Sequence, residues 1–151
     1  MMIPTEADVV GAWHLESMTL TWTCGESMEP FGREPLGTLI YAPTGQVCVS
    51  LMAPERPTIG LEQEQFLSRP FRLTRIGALR RFLQAARGHF SYAGSYRIRD
   101  GVMQHHVETA AYPDLCGQCL ERHCHIEQNR LRLSRAFDAS STVTLVWRSA
   151  S

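Results

Sequence analysis

Lysine is missing from this chain: every one of the 15 Lys+Arg side chains is arginine. That excludes Schiff-base chemistry and lysine general-base roles. Net charge is missing too, with 15 Asp+Glu in balance, so no basic excess invites a polyanion and nucleic acid is not an expected partner. No apolar run approaches the ~20 residues of a membrane-spanning helix, so no membrane partner is expected either. The opening Met1-Met2-Ile3-Pro4-Thr5-Glu6 has neither the basic nor the apolar region of a secretory leader. The 5 cysteines are an odd number, which argues against a complete disulfide framework and for reduced thiols in a cytoplasmic setting. Gly-x-Gly-x-x-Gly, Walker and Gly-x-Ser-x-Gly motifs are all absent, leaving nucleotide-binding and serine-hydrolase readings without support. With no internal repeat or linker, residues 1–151 read as one domain.

What the chain does have is a succession of short strands. Gly11-Ala12-Trp13 opens the first, and an indole of roughly 200 Å² there can plug the closed end of a small barrel. The period-two pattern from Trp13 to Trp22 is imperfect, and Cys24 to Pro30 reads as a hairpin loop. Thr38-Leu39-Ile40-Tyr41 and Gln46 to Met52 flank Ala42-Pro43-Thr44-Gly45, a tight turn in which proline sets φ and glycine supplies a positive φ. A helical insertion is expected at about 58–89. Leu73, Ile76, Leu79, Phe82, Leu83 and Ala86 recur at steps of three and four on one face, with Gly88 as the stop. A shorter helix is expected near Leu61 to Leu67. Phe90 to Ile98 turns through Asp100-Gly101 into Val102 to Ala110, a strong hairpin signal. Cys116 to Ile126, Arg130 to Ala136 and Thr142 to Arg148 complete an all-β, up-and-down antiparallel barrel.

Several of these segments, taken in order, resemble the lipocalin-like domain family. They are Gly11-Ala12-Trp13, Pro30-Phe31-Gly32-Arg33-Glu34-Pro35-Leu36-Gly37 with Leu39-Ile40-Tyr41 and Gly45, and Leu51-Met52 with Arg56-Pro57. Phe90-x-Tyr92-Ala93-Gly94-x-Tyr96, His105-His106-Val107-Glu108, Pro113 with Gly117 and Arg122, and Leu145-Val146-Trp147-Arg148 continue the series. The resemblance runs from about Val9 to Arg148. It implies an eight- to nine-stranded calycin-type barrel with an internal cavity, and it allows cyclase or isomerase activity on natural products. Asp114-Leu115 departs from an Asn-Trp pair common in the family, and Cys116 to His125 is unusually rich in Cys and His.

The candidate site rests on strand alternation. Gln104, His106 and Glu108 share one face, and His105, Val107 and Thr109 the other. With the first face toward the lumen, His106 and Glu108 form a catalytic pair able to relay a proton, the carboxylate fixing the imidazole tautomer. A buried polar network that only orders the barrel, or merely binds ligand, is the alternative. Tyr41, Met52, Tyr92, Tyr96, Gln104 and Arg122 are the expected ligand-binding residues, the tyrosines among them able to orient a guest and Arg122 able to hold an acidic one through its planar fork. By resemblance, Arg148 stacks on Trp13, a cation–π contact of about 1 kcal/mol that assigns Gly11, Trp13 and Arg148 to structure. Cys116-Gly117-Gln118-Cys119 lacks the helix N-terminus of a redox motif. Cys119, His123 and His125 span roughly 20 Å along one strand, too far for one tetrahedral ion. No metal or cofactor is expected.

Two functions follow. In one, the barrel binds a small hydrophobic molecule and only sequesters it. In the other, the same lumen folds a polyketide- or terpenoid-like substrate and cyclises or isomerises it, as a pericyclase does, by holding reacting atoms in a productive conformer. Homodimer formation is left open.

Overall fold

The computed structural model describes residues 3–64 and 76–151. Nine strands form one antiparallel sheet: β1 (Gly11–Trp22), β2 (Ser27–Met28), β3 (Leu36–Tyr41), β4 (Gln46–Met52), β5 (His89–Arg99), β6 (Val102–Ala110), β7 (Cys119–Glu127), β8 (Arg130–Asp138) and β9 (Ser141–Ser149). β1 pairs with both β3 and β9, so eight strands close into an up-and-down barrel. Closure leaves those eight strands no free edge. β2 is a two-residue addition on the far half of β1, inside what the sequence suggests is only a loop.

Alternation generates the lumen. On β4, Val47, Val49 and Leu51 point inward while Gln46, Cys48 and Ser50 face solvent. Leu131 and Leu133 on β8 and Val143, Leu145 and Trp147 on β9 do the same. β1 carries a bulge between Leu15 and Ser17. One extra residue shifts the alternation by one. Trp13 and Leu15 therefore face inward before the bulge, and Met18 and Leu20 line the interior after it. That bulge is the cause of the imperfect period in the sequence.

The end of the barrel where the β3–β4, β5–β6 and β7–β8 turns gather is closed. A short helix, α1 (Glu6–Val9), packs across it, with Val9 fully buried and the Trp13 Nε1–H donating to the Val9 carbonyl at 2.8 Å. Gly11 stands at φ +135°, a conformation that side-chain-bearing residues rarely adopt, where the chain bends from α1 into β1. The Tyr96 hydroxyl donates to the Ala42 carbonyl at 3.0 Å at the same end. Gly11 and Trp13 thus both stand at the closed end of the barrel. Arg148 is not stacked on Trp13 as expected: it lies exposed on the outer face opposite His14, whereas Trp13 points into the barrel. On β9 it is Trp147, paired with Leu15, that enters the core.

The long connection between β4 and β5 holds α2 (Ile76–Arg87). Ala78 and Ala85 are its buried residues, while Ile76 and Leu83 are exposed at 67% and 57%. The buried face is thus narrower than the expected stripe and rotated off it; small alanines make the close contact. Arg56 donates from Nε to the Ala85 carbonyl and Arg81 to the Ile59 carbonyl, tying α2 to the segment after β4. Leu73 and residues 65–67 of the helix expected near Leu61–Leu67 lie outside the described residues. Among the described residues, no helix is long and apolar enough to cross a membrane. β7 starts at Cys119 rather than Cys116, because Pro113–Leu115 forms a 3-10 turn that uses up the preceding residues.

Candidate functional site

The lumen contains a cavity of about 380 Å³. Leu39, Val49, Leu51, Leu133, Val143 and Leu145 give it apolar walls, with Phe90 and Trp147 adding aromatic surface. Met28, Pro30 and Phe137 also line it and are exposed, and with Phe31 they mark the mouth at the end opposite α1. A volume and lining of this kind suit a small organic guest.

Polar groups converge on one wall. The hairpin of β5 and β6 sets His105 opposite Tyr96, and β7 sets Leu120 on its other side. His105 is 1% exposed. Its Nε2 lies 2.8 Å from the Tyr41 hydroxyl and its Nδ1 2.6 Å from the Tyr92 hydroxyl, so two phenols from different strands bracket the imidazole. Burial, with the Arg122 guanidinium and His106 adding to it, depresses the His105 pKa to about 3. The ring is therefore neutral at physiological pH, with one N–H donor and one acceptor nitrogen. Tyr41 is deeply buried and does not line the cavity, so its hydroxyl is satisfied by donating to Nε2. Nδ1–H then donates to Tyr92, which leaves the Tyr92 hydroxyl proton on the cavity side. Burial pushes both phenols up, Tyr41 far more than Tyr92, where nearby Arg122 opposes the effect.

Arg122 is 7% exposed, in line with Cys124 on the inner face of β7. It lines the cavity, as does the half-buried Arg135 of β8. The β7–β8 ladder runs through Cys124–Leu133 and His123–Ser134, and the next positions in that register are Arg122 and Arg135. Burial and the neighbouring Arg122 both lower the Arg135 pKa. Among the described residues, no Asp or Glu lines the cavity.

The expected site residues separate accordingly. Tyr92 and Arg122 reach the cavity, and Tyr41 supports it from behind through His105. Tyr96 is buried toward the closed end, and Met52 is half-buried outside the lining. Gln104, His106 and Glu108 are on the outside of the barrel: Gln104 donates to Glu121 at 2.8 Å, and His106 and Glu108 are exposed. The lumen face of β6 is the other one, carrying Met103, His105 and Val107. Glu108 is also the unpaired residue of a bulge, since Ala93 pairs with Thr109 and Gly94 with Val107. His105 and Arg135 are the site residues that sequence reasoning missed. Among the described residues no His, Cys, Asp and Glu cluster forms a metal set; Cys119 and His123 are exposed.

No curated protein matches this chain. Among solved structures it is similar to a redesigned β-barrel (TM-score 0.46, 11% identity, 99% of this chain and 98% of the other). It is also similar to a de novo designed fluorescence-activating β-barrel (TM-score 0.42, 10% identity, 99% of both chains). A third is a redesigned barrel bound to DFHBI (TM-score 0.40, 10% identity, 95% and 97%). The model of the lipocalin-like domain family matches residues 10–150, nearly the whole barrel. With its closed antiparallel sheet and internal cavity, this chain belongs to the lipocalin-like domain family.

Proposed function

We propose that the barrel binds a small, largely apolar organic molecule in its lumen. The observation that carries this reading is the apolar cavity of about 380 Å³ with its polar groups gathered on one wall and an apolar rim at its mouth. A guest buries its body against the leucine and valine wall and is oriented by Tyr92 and Arg122. A reducing, cytosolic setting belongs to the same proposal and is supported by five free thiols. Titration with Nile red, a neutral dye bright only in apolar surroundings, tests it. Saturable one-to-one binding that Leu145→Trp abolishes while the far-UV spectrum stays unchanged is the expected result. Dye binding unaffected by a tryptophan inside the cavity overturns it.

A second reading, a cyclase or isomerase acting on a polyketide- or terpenoid-like substrate, is favoured by the Tyr41–His105–Tyr92 arrangement. A phenol proton held toward the lumen can polarise a carbonyl or enol oxygen. The imidazole behind it, with a pKa of about 3, is too weak a base to take up a proton near neutral pH, so polarisation and shape carry the rate rather than acid–base exchange. Tyr92→Phe then lowers turnover more than binding. Equal losses in both leave a sequestering carrier as the better description.

A further inference from the structure

Two guanidinium groups share the cavity wall with no counter-ion. Arg122 and Arg135 occupy adjacent inward positions on β7 and β8. Like charges side by side on neighbouring strands destabilise a sheet, and a buried cation without a counter-charge costs more still. Ordinarily an acidic side chain would lie nearby. Here, among the described residues, no Asp or Glu lines the cavity, and Arg130 pairs with Glu16 on the outer surface. The donors are in surplus as well. Arg135 Nε and Trp147 Nε1 are buried without a hydrogen-bond partner, both on residues that line the cavity. Tyr92 adds a hydroxyl proton, while His105 has both nitrogens engaged by tyrosines. A cavity with this many donors and two positive charges on otherwise apolar surface is complementary to one kind of guest.

We infer that the lumen takes an apolar molecule with an anionic, carboxylate-type head, held between Arg122 and Arg135 with the apolar body against the aliphatic wall. This deepens the binding reading above and rests on it. The planar guanidinium fork matches two carboxylate oxygens, and a charge-assisted hydrogen bond in a dry site is about twice as strong as a neutral one. The anion would also relieve the repulsion between the two arginines, so both charges are costly empty and favourable full.

The test displaces Nile red with decanoate and, separately, with 1-decanol, in the parent protein and in Arg122→Met and Arg135→Met. Decanoate is expected to bind the parent about tenfold or more tighter than decanol, in keeping with the strength of a charge-assisted bond. Either substitution should bring the two within about twofold of each other, by loss of decanoate affinity alone. Both variants should match or exceed the unliganded parent in thermal stability, because each removes one member of a repelling pair. Arginines kept for structure would instead lower it. If Nile red and decanol enter the parent and decanoate binds no tighter than decanol, the anion assignment falls while the cavity reading stands. If none of the three binds, the cavity reading falls and takes the anion assignment with it.

Discussion

Replacing His105 with glutamine and lowering the pH from 7 to 5 isolates a buried imidazole whose protonation opposes folding. In the folded chain the imidazole has a pKa of about 3, while in the unfolded chain it returns to about 6.5. A depressed folded-state value means that the unfolded chain binds the proton first. The stabilising contribution is fully present above about pH 6.5 and is lost as the pH falls toward about 3. Over the whole window the loss amounts to about 5 kcal/mol; between pH 7 and pH 5 it is about 2 kcal/mol. Urea melts at the two pH values read it directly, since a slope of about 1–3 kcal/mol per molar turns that loss into a midpoint shift on the order of 1 M. His105→Gln keeps a donor and an acceptor between Tyr41 and Tyr92 but cannot be protonated. Its stability should fall by about 2 kcal/mol less than the parent's over the same interval, whatever the other ionisable groups contribute. If the two proteins lose the same stability, the buried neutral imidazole is refuted. Should the variant fail to fold, the His105 ring resonances of the parent still decide it: they should not titrate between pH 7 and pH 4.

Three further outcomes follow from the same geometry. His106→Ala and Glu108→Ala, both on the outer face, should leave Nile red affinity within about twofold of the parent and stability within about 0.5 kcal/mol; a tenfold loss of affinity in either would return that face to the lumen. Gly94→Ala should cost more than about 3 kcal/mol in urea melts or prevent folding, because its Cβ would collide with the backbone carbonyl of His106, which cannot swing aside as a side chain could. Trp13→Phe removes the bond to the Val9 carbonyl and part of the floor, an expected loss of about 1–3 kcal/mol by thermal or chemical melting.

The hairpins were legible because their turns have unmistakable chemistry: Pro43 to Gly45 joins β3 to β4, and Asp100-Gly101 joins β5 to β6. The second turn held more information than alternation alone extracts. A two-residue loop sets Arg99 opposite Val102 and therefore Tyr96 opposite His105. Phe90, Tyr92 and Tyr96 form the plainly apolar face of β5, so His105 shares the lumen with them and His106 does not. Identity of residue type misled here, since β6 carries a histidine on each face. The same register logic, carried from the Gln128-Asn129 turn one step past the last paired residues His123 and Ser134, brings Arg122 beside Arg135, on the face of Leu131 and Leu133. An arginine among several on one strand reads as surface until its cross-strand partner is counted. Two features could not be read at all. The bulge after Leu15 has no sequence marker, and the Tyr41–His105 bond joins residues 64 positions apart, which no local pattern reports.

The seam between β1 and β9 has a consequence for how this molecule comes into being. Its register, from Trp13–Ser149 to Trp22–Ser141, joins strands with almost the whole barrel between them in sequence. Neighbouring hairpins close small loops and form early, whereas this pairing must bring distant segments together against a larger entropy, and topologies of that kind fold in milliseconds to seconds. Until it forms, the sheet has two open edges and no inside. A chain shortened by the segment Ser141–Ser149 would therefore lose the container itself, and expose two unprotected strands, β1 and β8, to pairing with other copies.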